Sequence, residues 1–358
     1  MSGWPRDWAR DQQATPGAGV RTEPLGPLAD GPPPRLAVRP RRRRWGRAVL
    51  LVLAVLLVLI LVLFFMVDSR LNRVDALGDQ AGRPAVTPGA DWLIVGSDSR
   101  EGLTEAERKR LGTGQAAGRR TDTMMLLHIP RGGGQPTLIS LPRDSYVPIP
   151  GRGRNKLNAA YAFGGPKLLV RTVEGVTGIR VDHYMEIGFD GFASIVDDVG
   201  GVSLCVDAPM NDPKAGLKLA AGCQVLDSRK ALGYVRTRAS ARGDLDRVVR
   251  QQQFMSALID KMTSPGVLIN PFRSIPLALN GAGTIAVDSH DHIYHLIRFP
   301  FAMRSVSSGD GVAGTVPIAG TTTVSGAGSV VLWDRPKALA LFEALKQDRP
   351  TGNLVERK

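Results

Sequence analysis

Cysteine is nearly absent from this chain: 358 residues contain two, alongside five histidines. Two thiols alone cannot complete a zinc site, so metal is the weaker reading of the pair. Lysine is also scarce, with ten residues against 36 arginines. No Gly-x-Ser-x-Gly elbow and no Walker lysine occur, so serine-hydrolase and P-loop chemistry lose their usual sequence carriers. No internal repeat is present. Wholesale disorder is excluded as well, because hydrophobic residues make up 43% and charged residues only 22%.

What remains is basic. The formal charge is +13, a balance that ordinarily points to nucleic acid, a membrane surface or an anionic substrate. Arginine grips phosphate oxygens with a planar fork, although GC-rich codon usage inflates arginine too. The charge is unevenly placed. Residues 1–47 hold ten Arg, no Lys and four acids (Asp7, Asp11, Glu23, Asp30), a net +6 that leaves +7 for the rest. This segment is rich in Pro and Gly and lacks apolar periodicity, so it reads as a disordered tail.

Residues 48–67 form a run of 20 apolar residues without charge, Gly or Pro. At about 1.5 Å per residue such a helix spans roughly 30 Å, the thickness of a hydrocarbon core. A buried core helix would show a polar stripe, and a cleaved signal peptide would be shorter and closer to the N-terminus. Arg41–Arg44 and Arg47 lie immediately before the run. The positive-inside rule then keeps residues 1–47 in the cytoplasm and exports everything after 67 as a type II membrane protein. In that compartment Cys205 and Cys223 are expected to form a disulfide.

The exported part alternates short apolar runs with helical patterns. Strands are expected at Asp91–Val95, Met124–Ile129, Thr137–Leu141, His183–Ile187 and Val202–Val206. Helices are expected at Thr104–Leu111, Leu157–Gly164 continuing through Lys167–Val176, Phe189–Val199, Arg229–Tyr234 and Asp246–Met262. This predicts an α/β fold, a layered α-β-α domain with a central mixed sheet behind one transmembrane helix. The expected organisation is a linker at 68–89, a catalytic domain at 90–262, a C-terminal subdomain packed on it at 263–348, opened by a Pro/Ser break over Thr263–Pro276, and a frayed tail at 349–358.

Four segments gather acids and arginines near predicted strand ends, where ligands of α/β sheets collect. They are Trp92-Leu-Ile-Val-Gly-Ser-Asp-Ser-Arg100, Arg119-Arg-Thr-Asp-Thr-Met124, Ser140-Leu-Pro-Arg-Asp-Ser145, and Tyr234-Val-Arg-Thr-Arg238 with its sequel Gly243-Asp-Leu-Asp-Arg247 and Arg250-Gln-Gln-Gln253. Asp98 and Asp122 are hard-oxygen candidates for Mg²⁺ or Mn²⁺, an ion usually held by one or two carboxylates with phosphate and water completing the shell. Arg120, Arg143, Arg236 and Arg238 could share phosphate charge. Any one of them alone is read most simply as a surface ion pair of small worth; together they suit a pyrophosphate.

As a set, these segments resemble the LytR-CpsA-Psr family of cell-wall glycopolymer ligases. The resemblance extends to Lys156-Leu-Asn-Ala-Ala-Tyr161 and to the stretch from Tyr184 through Gly191-Phe192 to Asp197-Asp198-Val-Gly-Gly-Val202, all in family order over roughly 90–260. It implies a phosphotransferase that takes a glycopolymer from undecaprenyl pyrophosphate, joins it to peptidoglycan through a phosphodiester and releases undecaprenyl phosphate. Teichoic-type polymer, arabinogalactan and capsule share that handle. The resemblance also implies roles: Asp98 and Asp122 as Mg²⁺ ligands, Arg120, Arg143, Arg236 and Arg238 on the pyrophosphate, Gln252 on the head group with Gln251–Gln253 leaving its register open by one, and Arg100 and Arg247 in support. A hydrophobic slot for the polyprenyl tail is implied, with lining that the sequence does not name. Asp122, Asp144 and Asp246 stand open as general bases.

Other readings compete. Water as acceptor would turn the same site into a polyprenyl-pyrophosphate hydrolase. A non-enzymatic envelope regulator is the other class, but residues 1–47 cannot pack a DNA-binding domain, and the expected partners are lipid-linked polymer, peptidoglycan and membrane lipid rather than nucleic acid. His290-Asp-His-Ile-Tyr-His295 could chelate zinc through His290, Asp291 and His292, or it is a polar turn opening a helix. Gly281-Ala-Gly-Thr-Ile-Ala286 matches a dinucleotide pattern without the βαβ frame that gives the pattern meaning.

Overall fold

The computed structural model describes residues 42–78, 82–97, 105–106, 121–213, 215–237 and 244–356, without the side chains of 42–44, 244–249 and 252. The chain divides into two units, Met1–Val55 and Leu56–Lys358. In the first, residues 42–55 are helical. They belong to α1, Arg42–Arg70, which extends the expected 48–67 helix at both ends. Trp45–Arg70 is long and apolar enough to cross a membrane, and none of its most apolar stretch is buried.

The second unit is built on a seven-stranded mixed sheet. In chain order its strands are β1 (Asn72–Val74), β2 (Ala90–Ser97), β3 (Thr121–Ile129), β4 (Thr137–Ser140), β5 (His183–Ile187), β6 (Ile285–Asp288) and β7 (Val312–Thr315). In space they run β1-β6-β5-β2-β3-β4-β7. The pairs β1–β6, β5–β2 and β4–β7 are parallel, and the others antiparallel. Both faces are covered, which is why β2 and β3 read as almost unbroken apolar runs. Leu93 and Val95 point to one face, where helices α2 (Leu157–Thr177) and α10 (Arg335–Lys346) pack. Trp92 and Ile94 point to the other, against α5 (Asp244–Met262) and α9 (Arg298–Ser308). The layered α-β-α architecture is thus as expected.

Three segments differ from expectation. The linker at 68–89 supplies edge strand β1 and then buries Ala76 and Leu77; the carboxylate of Asp288, itself buried, accepts both their N–H groups at 3.0 and 2.8 Å. Residues 263–348 contribute β6 and β7, so this stretch completes the sheet instead of packing on it as a subdomain. The expected break over Thr263–Pro276 contains two helices, α6 (Pro265–Leu268) and α7 (Pro271–Thr284). Both begin with Pro in the first turn, where the missing N–H costs nothing, and the Asn270 side chain caps α7 by accepting from Phe272 N. The tail is not frayed as far as Glu356: the Thr351 hydroxyl bonds Thr137 at 2.7 Å and Val355 enters the core. The helix expected over Thr104–Leu111 lies outside the described residues except for 105–106.

A second apolar core sits beside the sheet. It joins α3 (Phe189–Asp198), α4 (Ser228–Arg236) and α5 to two small hairpins. One hairpin pairs Val202–Val206 with Gly222–Leu226 and places Cys205 directly opposite Cys223, where they form the expected disulfide. The other pairs Met210–Asp212 with Leu217–Leu219.

Candidate functional site

The charged part of the site follows from two strand ends. β3 starts at Thr121, so Asp122 stands at its beginning, beside the end of β2. The β2–β3 register shifts between Gly96 and Ser97, and Gly96 permits a close approach, since a Cβ there would lie 3.1 Å from Thr123 Cβ. β3 turns back into β4, and the chain leaves β4 through Leu141-Pro142. The Leu141 N–H to Met124 C=O bond of 2.9 Å holds that exit. Arg143 therefore faces Asp122 across the hairpin: Nη1 donates to Asp122 Oδ1 at 2.5 Å and Nε to Asp144 Oδ2 at 3.2 Å.

The Lys156–Tyr161 motif braces this turn from the other side. Lys156 Nζ meets Asp144 Oδ1 at 2.9 Å. Asn158 N–H donates to Arg143 C=O and Leu157 N–H to Ser145 C=O. Further along α2, the Tyr161 hydroxyl donates to buried Glu186, which also accepts from Tyr184. The resulting chain Asp122–Arg143–Asp144–Lys156 alternates in sign. Its members are 18–40% exposed, and solvated pairs of this kind contribute roughly 0–1 kcal/mol each. The chain's main physical effect is to hold the Arg143 fork in place.

Asp122 opens onto a cavity of about 310 Å³, at the low end for small-molecule sites. Its mouth carries Ser97, Asp122, Thr123, Arg236 and Gln251; its body is apolar and is walled by α3, α4 and α5 through Phe189, Phe192, Leu232, Val235, Phe254 and Met255. Arg236, in the last turn of α4, stacks its guanidinium 5.2 Å from the Phe189 ring centroid, a cation–π contact that keeps the charge at the boundary between polar mouth and apolar body. Phe192 and Phe254 pack at 5.1 Å between centroids. Thr123 Oγ1 donates to Gln251 Oε1 at 3.0 Å, and the Gln251 amide donates to Val235 C=O at 3.3 Å.

The structure thus brings Asp122, Arg143 and Arg236 to one place. Asp98, Arg100, Arg120 and Arg238 lie outside the described residues, as do the side chains of Arg247, Asp246 and Gln252. Of the glutamine run, Gln251 lines the cavity and Gln253 accepts from the Tyr234 hydroxyl. Sequence reasoning missed Lys156 as a partner of Asp144, although the residue stood inside a quoted motif, and it missed the apolar lining, whose aromatics read as ordinary helix core. Ser97 Oγ is buried at the mouth with no hydrogen-bond partner among the described residues.

The histidine cluster divides. His290 turns to Asp288 at 3.1 Å and His292 to Asp68 at 3.2 Å, so neither joins Asp291 as expected for a zinc site. Asp291 instead bonds His183 at 2.5 Å and lies 3.4 Å from His295. Burial lowers the His295 pKa, and His183 beside it adds to the effect. The Gly281–Ala286 pattern straddles the end of α7 and β6, away from any strand–turn–helix phosphate cradle.

Comparison with known proteins places this geometry. The LytR_cpsA_psr family model matches residues 74–286. A "Probable cell wall biosynthesis protein LcpB" of Corynebacterium glutamicum is 50% identical over 328 residues, covering 91% of this chain and 77% of that protein. The Bacillus subtilis polyisoprenyl-teichoic acid–peptidoglycan teichoic acid transferase TagT is 38% identical over 186 residues, 49% of this chain and 55% of TagT. Among solved structures, a LytR-Csp2A-Psr enzyme from Actinomyces oris superposes with a TM-score of 0.60 at 25% identity, covering 78% of this chain and 96% of that one.

Proposed function

This chain belongs to the LytR-CpsA-Psr family, and on that premise we propose that it moves a glycopolymer from undecaprenyl pyrophosphate onto peptidoglycan. The observation that carries the reading is the cavity: one opening joins an apolar body to a mouth bearing Asp122 and Arg236, with Arg143 behind Asp122. A lipid-linked pyrophosphate has those two chemistries in that order. TagT's name, with its polyisoprenyl-linked donor and peptidoglycan acceptor, supports the same class of substrate.

In the proposed reaction a peptidoglycan hydroxyl attacks the phosphorus that carries the polymer. The new P–O bond forms as the bond to the bridging oxygen breaks, and undecaprenyl phosphate leaves with the electron pair. Negative charge grows on that bridging oxygen, so donors fixed beforehand stabilise it most. Arg236 is held by Phe189 and Arg143 by Asp122 and Asp144, so neither guanidinium needs to reorganise. Asp144 has both oxygens engaged, by Arg143 and Lys156, which disfavours it as the base.

A divalent ion fits the donors at the mouth. Asp122 offers a partly exposed carboxylate, and Ser97 Oγ in the same cavity lining is buried with no hydrogen-bond partner among the described residues. Asp122, with Asp98, would hold Mg²⁺, which when bound would carry part of the pyrophosphate charge. We further propose that α1 spans the membrane with residues 1–47 in the cytoplasm, from the arginines at 41–44 and 47.

The test is a product assay with the full-length chain, lipid-linked polymer and peptidoglycan. A covalent polymer–peptidoglycan adduct detected by mass spectrometry, with polyprenyl phosphate released, is the expected result. Free phosphorylated polymer without adduct would assign the site to a hydrolase instead.

A further inference from the structure

From its packing and surface composition, we propose that helices α6 through α9, with α8 being Ile293–Leu296, form a face that rests on the bilayer surface from which α1 emerges. The proposal depends on the reading that α1 crosses a membrane, and it adds a second, peripheral contact with lipid.

The first argument is geometric and lies within the second unit. Leu63, Val67 and Leu71 of α1 and its exit pack with Ala278, Leu279 and Ala282 of α7. Both sets recur at helical spacing, so each helix turns one apolar stripe into this shared cluster near the end of the span. The backbones are close, since a Cβ at Gly283 would stand 4.0 Å from Arg70 O. The apolar run of the span ends at Val67, and Leu63 lies one turn earlier, about 6 Å deeper along the axis. An apolar cluster that reaches Leu63 enters the interfacial layer if the 20-residue run fills the hydrocarbon core. That depth matches the roughly 5–10 Å of interfacial helices.

The second argument is the surface itself. Beyond the span, twelve large hydrophobic residues are exposed among the described residues, and seven of them fall within residues 268–301. Phe272 is 88% exposed, Ile269 79%, Phe301 61% and Tyr294 52%. Scattered apolar residues need no explanation, but a cluster of this kind marks an interaction surface.

Charge selects the occupant. Residues 264–308 contain two acids, Asp288 and Asp291, and both are buried. Arg273, Arg298 and Arg304 are exposed. The face therefore offers aromatics, aliphatics and arginines to its surroundings and no exposed carboxylate, the composition that favours an anionic lipid surface. At its edge Asp68 accepts from Ile293 N at 2.9 Å and pairs with Arg73 at 2.7 Å, which fastens α8 to the end of the span. The face also abuts the cavity wall: Gly191 on α3 packs so tightly on α7 that a Cβ would meet Thr284 O at 2.6 Å, and α3 carries Phe189 and Phe192 into the cavity.

The test uses the full-length chain in vesicles containing phosphatidylglycerol and phosphatidylcholine. Nitroxides are attached singly at Phe272→Cys, Phe301→Cys, Leu57→Cys in the span and Leu339→Cys on α10. The native cysteines are paired and take no label. Power saturation compares access to oxygen with access to a water-soluble nickel chelate. Labels at 272 and 301 are expected to favour oxygen at interfacial depth, the label at 57 to lie deeper, and the label at 339 to read as aqueous. Each single variant removes one anchor and leaves the other. Aqueous readings at 272 and 301 with 57 in lipid overturn the proposal; an aqueous reading at 57 instead overturns the membrane-spanning reading beneath it. Shielding of 272 and 301 from both reagents, with dipolar broadening between copies, would assign the face to a second copy and also overturn it. Vesicles of phosphatidylcholine alone should give shallower depths, and unchanged depths would remove the role of the arginines.

Discussion

Replacing Arg143 separates positioning from stability. Two of the contacts its guanidinium makes are at 2.5 Å to Asp122 and 3.2 Å to Asp144. Arg143→Ala removes both, yet Asp144 keeps Lys156 at 2.9 Å. Asp122 is 40% exposed, so water replaces much of what it loses. The two contacts together are worth about 1–2 kcal/mol of stability, a fall in Tm of roughly 2–8 °C for a domain of this size. Transfer should fall much further, by about 10²–10³-fold, the loss seen when one fixed donor to a developing oxyanion is removed. Arg143→Lys keeps the charge and loses the fork; one ammonium cannot serve both carboxylates in the same geometry. It should keep Tm near wild type and still transfer about tenfold or more slowly. The assay is adduct formation by mass spectrometry at fixed protein concentration, with Tm measured on the same samples. A wild-type rate in Arg143→Lys would refute the argument from the fork, and a wild-type rate in Arg143→Ala would remove Arg143 from the site altogether.

Three further outcomes are expected. Gly191→Ala places a Cβ 2.6 Å from Thr284 O and should cost about 1–3 kcal/mol as α3 shifts from α7; unchanged chemical denaturation would show that the two helices are not held as described. His128 sits between Asp91 at 2.9 Å and Asp348 at 2.7 Å. Burial alone would lower its pKa, but its hydrogen bonds to those two carboxylates, and their charge, raise it overall. Its stabilisation is then complete below the unfolded value of about 6.5 and is lost as pH rises through the higher folded value, so His128→Gln should flatten the fall in Tm above about pH 6.5, and an unaltered profile would contradict the assignment. Cys205→Ser with Cys223→Ser opens a loop with a sequence separation of 18 and should cost about 2–4 kcal/mol; reductant should lower the Tm of the wild type alone, and equal sensitivity of both proteins would argue against a formed disulfide.

The parts of the fold that were legible share a physical origin. Strands β2 and β3 announce themselves because both of their faces are buried, which leaves Trp92–Val95 and Met124–Leu127 as unbroken apolar runs. Asp122 and Arg143 meet because β3 and β4 are consecutive antiparallel strands with Met125 opposite Ser140, so a separation of 21 residues closes through one turn. Local cues also exist where the sequence misleads: Asn270 followed by Pro271 is a cap and a first-turn proline, yet the pair reads as a break because proline inside a helix usually is one. β1 is three residues long and pairs with β6 more than 200 positions later. No periodicity can build up over three residues, and no local signal encodes such a partner.

The site divides along the same line. Its charged half was readable because strand ends and turns place charged side chains by local rules, so that Asp122, Arg143 and Arg236 each stood in a short motif. Its apolar half was not, because Phe189, Phe192, Leu232 and Phe254 sit on three helices at positions that an ordinary core would also fill with the same residues. Whether such a side chain closes a core or lines a cavity depends on how far apart the helices stand. One determinant of that distance is the α3–α7 contact at Gly191, where a missing side chain lets backbone meet backbone. The apolar space is thus a consequence of long-range packing, and a glycine that helps to set it places no side chain of its own among the phenylalanines it positions.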